Sequence, residues 1–210
     1  MISVRDRILE AASKEPAPSR ERVRAQRRLV LAIGAAVSLA AFGALGFMGP
    51  LPRPFLLACA LGWSAIALIV TRLGLVRGPM MLGSSTRSLA VAASAIGPLV
   101  IGWVQTLFYA MQPPCVAPAP RVHLVCCVIG IAFATGPLAA MLWVRRGSDP
   151  VHPAATGAAI GAAAGAWGGL LIHLHCPYAD PVHTVIGHVL PIVLLAALGA
   201  ILGRRLLAVR

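Results

Sequence analysis

The chain has 210 residues, of which 59% are hydrophobic and only 11% charged, and its mean hydropathy is +0.85. Soluble domains carry roughly 25% charged residues, so this composition excludes an ordinary water-soluble fold. A formal net charge of +12 invites nucleic acid as a partner, but the basic residues are spread over the flanks of apolar stretches. That distribution points to anchoring on anionic membrane lipids and to no direct nucleic-acid contact.

The first 28 residues are the one sizeable soluble segment. Ile2, Val4, Ile8, Leu9 and Ala12 fall on one side of a short helix, with Arg5, Asp6, Arg7 and Glu10 around the remainder. Pro16 and Pro18 end that helix, and a second basic stretch from Arg20 to Arg28 runs into the first apolar run. A helix of about a dozen residues is marginal alone because nucleation is costly, so the segment reads as one that folds on a partner. With no small-x-small cleavage site after its long basic leader, the first apolar run reads as an uncleaved anchor and not a signal peptide.

Six stretches follow that are free of Asp, Glu, Lys and Arg: 29–49, 55–71, 89–110, 122–144, 154–174 and 184–203. Each approaches the ~20 apolar residues a membrane helix requires, and the alternation of a barrel strand is absent, so the predicted fold is an all-α bundle of six transmembrane helices. Arg5, Arg7, Lys14, Arg20, Arg22, Arg24, Arg27 and Arg28 precede the first stretch. Arg72, Arg77, Arg87, Arg145, Arg146, Arg204, Arg205 and Arg210 fall in loops or a tail (204–210) on that same side, leaving only Arg53 and Arg121 opposite. The positive-inside rule therefore predicts both termini in the cytoplasm.

Within the spans, the lack of charged residues counts against an ion-coupled carrier, which holds its coupling ion on such groups. Gly157, Gly161, Gly165 and Gly169 repeat every four residues with Ala158, Ala162 and Ala166 beside them, and Gly199 and Gly203 repeat the spacing in the last span. Small residues at this period form a flat ridge on which another helix backbone packs closely. Gly97-Pro98, Gly136-Pro137 and Pro191 are expected to bend their helices.

Against the basic side stand Cys59, Cys115, Cys126, Cys127 and Cys176 with His123, His173, His175, His183 and His188, all at the predicted outer face; only His152 is inside. Thiolate and imidazole are the preferred ligands of zinc and copper, so a metal is one reading. Its candidate ligands are His123 and Cys127, four apart on one helical face, and His173, His175 and Cys176, which converge if the helix ends there. His183 and His188, five apart, diverge by roughly 140° on an α-helix and are left out of that set. A second reading is redox: Cys126 or Cys127 pairing with Cys176 or Cys115 in an oxidising compartment. A third is packing alone, since buried Cys is a small apolar residue and His forms interhelical hydrogen bonds. With no nucleophile elbow and no paired carboxylates, the chain is not expected to be an enzyme.

The last third carries a specific pattern. Ser148-Asp149-Pro150-Val151-His152-Pro153 leads into the glycine ridge, followed by His173-Leu174-His175-Cys176-Pro177, Asp180-Pro181-Val182-His183, Gly187-His188-Val189-Leu190-Pro191, and Gly199-Ala200-Ile201-Leu202-Gly203-Arg204-Arg205-Leu206-Leu207. This resembles the NrsF-like membrane anti-sigma factors, whose final hairpin has a Cys-Pro turn and a Gly-x-x-x-Gly-Arg-like exit. The resemblance implies a protein of the bacterial inner membrane that sequesters an extracytoplasmic-function sigma factor and releases it on an envelope, oxidative or metal signal. It places the sigma-binding surface on the N-terminal segment, with Ile2, Val4, Arg5, Ile8 and Leu9 as contact candidates, and the redox sensor on Cys126, Cys127 and Cys176. The alternative is a small metal- or haem-handling membrane protein that uses the outer His and Cys.

Overall fold

Proline and glycine punctuate the helices. The computed structural model describes residues 20–46, 53–75, 118–147, 151–178 and 180–208, and among these there are five helices and no strand. They are α1 (Arg20–Leu45), α2 (Arg53–Leu75), α3 (Pro120–Val144), α4 (Pro153–His175) and α5 (Pro181–Leu206). Pro120, Pro153 and Pro181 each open a helix, at the position where a missing N–H and a preset φ cost nothing. Gly46, at φ +66°, closes α1 by donating its N–H to the Phe42 carbonyl at 2.7 Å; that left-handed conformation favours glycine.

The all-α expectation holds for the described residues; each helix begins before its expected bound, while α1 ends at Leu45, short of the expected 49, and α3 ends at Val144 as expected. α1 begins nine residues before Leu29, so the basic stretch from Arg20 is helical and continuous with the apolar run. α1, α3, α4 and α5 are long and apolar enough to cross a membrane, while α2 contributes the shorter apolar stretch Ala60–Arg72. The expected span 89–110, with its Gly97-Pro98, lies outside the described residues, as do residues 1–19.

α4 is the central element: 83% of its apolar stretch is buried, against 11% for α1. α2, α3 and α5 pack on it, and α1 packs on α3. The glycine ridge lets α5 approach so closely. A methyl group added at Gly157 would meet the carbonyl oxygen of Gly199, one at Gly161 that of Leu195, and one at Gly199 that of Gly157. Backbone meets backbone along this seam, which maximises dispersion contact where lipid leaves no hydrophobic drive between helices. Gly34 of α1 and Gly136 of α3 repeat the device, a methyl group at Gly34 coming within 2.8 Å of the Gly136 carbonyl. Hydrogen bonds between helices add direction: Ser38 Oγ donates to the Phe133 carbonyl, and Trp167 Nε1 donates to Thr71 Oγ1 at 3.0 Å.

These contacts set the polarity of the bundle. Gly147, at the turn after α3, donates its N–H to the Leu206 carbonyl at the end of α5 (2.9 Å), and Gly203 packs on Pro153 at the start of α4. Arg145, Arg146, Arg204 and Arg205 therefore share one end of the bundle with the basic first turns of α1. His175 Nδ1 donates to the Gly46 carbonyl at 2.6 Å, so the last turn of α1 lies at the opposite end, with the end of α4 and the starts of α3 and α5. Among the described residues, Arg145, Arg146, Arg204 and Arg205 thus stand at one end of the bundle and Cys126, Cys176, His183 and His188 at the other.

Gly161→Ala is expected to destabilise the bundle by about 1–3 kcal/mol, the usual cost of overpacking. Gly43→Ala, where an added methyl group meets nothing within 4 Å, is expected to be neutral or up to about 1 kcal/mol stabilising through helix propensity. Thermal unfolding in detergent, followed by circular dichroism, checks the pair; equal shifts would refute the seam.

Candidate functional site

At the end opposite the arginines, the first turns of α3, the end of α4 and the start of α5 converge on four buried side chains: Cys126, Cys176, His183 and His188. Their ligand atoms all lie within 4.8 Å of one another. The Cys126 thiol donates to Cys176 Sγ at 3.7 Å, and Cys176 Sγ lies 3.1 Å from His183 Nε2. The other nitrogen of His183, Nδ1, pairs with His123 Nδ1 at 2.9 Å. His188 is fully buried, and neither of its ring nitrogens has a hydrogen-bond partner among the described residues.

Local structure explains each placement. α4 ends at His175, and Cys176 turns to β conformation (φ −78°, ψ 129°) while its N–H still donates to the Ile172 carbonyl. Asp180 then caps α5 by accepting the His183 backbone N–H at 2.8 Å, the side-chain cap expected of Asp at a helix start. Residues Thr184–Val189 form a π-helical turn, with Leu190 N–H donating to Val185 O five residues back. Pro191 gives the reason. It has no N–H to offer the Gly187 carbonyl, so the α ladder fails there, and a π-bulge is a common way for a helix to absorb such a break.

That turn corrects one expectation. On an α-helix His183 and His188 would point apart; across a π-turn, residues five apart stand one above the other, and the two rings lie with centroids 5.1 Å apart and nearly perpendicular. The sequence signal was present in the spacing of five followed by a proline three residues on, and only the assumption of α geometry hid it.

The remaining candidates disperse. His173 stacks on Trp63 at 5.5 Å and meets His188 edge-on at 6.0 Å. His175 turns to Gly46. The end of α4 therefore does not gather His173, His175 and Cys176 into one ligand set, because successive residues there face different helices. Cys127 is buried but outside the four-residue cluster; Cys126, one position earlier, takes the place beside Cys176. His123 touches the cluster only through His183. Cys115 and the partner-binding candidates Ile2, Val4, Arg5, Ile8 and Leu9 lie outside the described residues.

The imidazoles form a continuous file, His123 to His183 (5.0 Å), His183 to His188, His188 to His173, ending on Trp63. Such a site can do two things chemically: two thiols in van der Waals contact can be oxidised to a disulfide, and two thiolates with two imidazoles can hold a soft cation.

Treatment of the intact protein with diamide is expected to join Cys126 to Cys176, closing 3.7 Å to about 2.05 Å. The reaction removes two electrons and two protons from the thiols, leaving Cys127 reduced. Alkylation after denaturation, followed by peptide mapping, distinguishes this pair from any bridge to Cys127.

No curated protein and no solved structure matches the chain. A family model described as "Negative regulator of sigma F" matches residues 11–208, a stretch that contains all five helices and the whole thiol-imidazole cluster. The chain therefore belongs to the NrsF family of negative regulators of a sigma factor.

Proposed function

We propose that this protein is a multi-pass anti-sigma factor of the bacterial inner membrane. Six spans, the sixth of them formed by α5 and one supplied by residues 89–110, place both termini in the cytoplasm. The segment 1–28 masks an extracytoplasmic-function sigma factor there, with Ile2, Val4, Arg5, Ile8 and Leu9 on the contacting side. An oxidative, metal or envelope signal at the opposite end releases it. The observation that carries this reading is the polarity of the bundle. The family match makes the protein a negative regulator of a sigma factor, and a continuous helix, α1, leads from the basic end to the neighbourhood of the Cys/His end.

Release requires two states of the bundle that differ in affinity for the sigma factor. α4 links the ends: Cys176 and His173 stand at one, and Gly157 packs on Gly203, beside Arg204 and Arg205, at the other. A rigid backbone seam passes a displacement at one end to the other, where a looser side-chain interface would absorb it. The charge pattern also supports lipid contact, with the arginine end set at anionic headgroups.

The test is co-purification of candidate sigma factors with the full chain and with a chain lacking residues 1–28, together with transcription from a sigma-dependent promoter. The full chain is expected to retain the sigma factor, and the deletion is expected to lose it and raise transcription at least about tenfold, the equivalent of about 1.4 kcal/mol. Unchanged retention and transcription on deletion would refute the arm. The thiol-imidazole cluster favours one other reading, a small metal-handling membrane protein; it predicts metal binding with no transcriptional effect from either chain.

A further inference from the structure

We propose that Cys126, Cys176, His183 and His188 form a tetrahedral site for a divalent cation with a filled d shell, of the zinc and cadmium class, and that His123 is the partner that orients His183. The geometry is close to that of the loaded site. With metal–sulfur bonds of about 2.3 Å and metal–nitrogen bonds of about 2.0–2.1 Å, tetrahedral ligands stand roughly 3.4–3.8 Å apart. The two sulfurs are 3.7 Å apart, and Cys176 Sγ is 3.1 Å from His183 Nε2. Only small adjustments would place a cation among the four.

The second observation is independent of the distances. His188 is fully buried with both ring nitrogens unpartnered among the described residues, and a buried polar group without a partner costs free energy. A cation bound by one of those nitrogens satisfies it. His183 meets the usual condition of a metal-ligating histidine. With a cation on Nε2, which faces the sulfurs, the proton stands on Nδ1 and points to His123 Nδ1 at 2.9 Å, fixing tautomer and ring orientation. Asp180, through the His183 backbone N–H, holds the same residue from the other side. The π-turn then has a use: it places two imidazoles five residues apart on one side of α5, at the kind of site where π-bulges recur.

Charge and softness select the ion. Binding exchanges the two thiol protons, which leave to solvent, for one dication, so the loaded site is neutral overall and tolerable in an apolar interior. With two sulfurs, two imidazoles and no oxygen in the donor set, magnesium and calcium are disfavoured. The regulatory meaning of the site rests on the release mechanism proposed above; binding itself does not.

The full-length protein, purified in detergent under reducing conditions and stripped with a chelator, is to be titrated with Zn2+, Cd2+ and Co2+. One cation per chain is expected by elemental analysis, with cobalt giving the intense visible bands of a tetrahedral thiolate site. That spectrum reads the donor set without any mutation. Cys126→Ser, Cys176→Ser, His183→Ala and His188→Ala are each expected to weaken binding at least about 100-fold, and His123→Ala about 10–100-fold, the range for an orienting partner; Cys127→Ser is expected to leave it unchanged. Bound Zn2+ is also expected to protect Cys126 and Cys176 from diamide. Failure to bind, an octahedral cobalt spectrum, or binding that survives Cys126→Ser and His188→Ala together would overturn the site. Stoichiometric binding that leaves sigma-factor retention unchanged would keep the site and refute its role in release.

Discussion

The close approach of two helix backbones, α4 and α5, is the constraint on which the rest of the structure depends. Gly157, Gly161 and Gly199 have no side chains to separate the chains, and the Gly199 and Leu195 carbonyls occupy the space where methyl groups would stand. In a lipid environment such contact replaces the hydrophobic drive that holds a soluble core. It also fixes α5 against α4 in translation and rotation, because each glycine notch accepts one turn of the partner. The position of His183 and His188 relative to Cys176 follows from that register.

The site is therefore a product of two departures from regular helix geometry held in place by a regular seam. α4 stops at His175 so that Cys176 can turn toward α3, and α5 widens to a π-turn ahead of Pro191. The end of α4 brings Cys176 to His183, and the π-turn adds His188 beside them. Both lie within a few residues of the glycine contacts, so Ile192 of α5 already packs on Gly165 one turn beyond the π-segment. Cys126, Cys176, His183 and His188 therefore adjoin one end of the closely packed α4–α5 pair, and Arg204 and Arg205 stand at its other end.

Much of this organisation was legible along the chain. The four-residue glycine period announced a packing ridge, and the ridge is where α5 docks. Prolines at 120, 153 and 181 open helices just ahead of the apolar runs that begin at 122, 154 and 184. The site was legible in its residue types and its end of the molecule, but not in its membership. His123 and Cys127 share a face by spacing, yet Cys126 is the one that meets Cys176, because the face of α3 toward α4 is set by Gly130 packing on Ile172 and Gly168 on the Gly130 carbonyl. Adjacent cysteines differ by about 100° of helix rotation, and hydropathy does not say which of two equally buried thiols meets Cys176.

The sequence by itself determined the apolar, all-helical character of the described residues and the placing of Arg145, Arg146, Arg204 and Arg205 away from Cys126, Cys176, His183 and His188, because these depend on transfer of apolar residues from water and on the charge of flanking segments, both additive along a chain. Tertiary structure decided which thiol meets which imidazole. That outcome depends on helix rotation, on where α4 ends and on a π-turn, all of them set by contacts between residues distant in sequence, for which local periodicity carries no information.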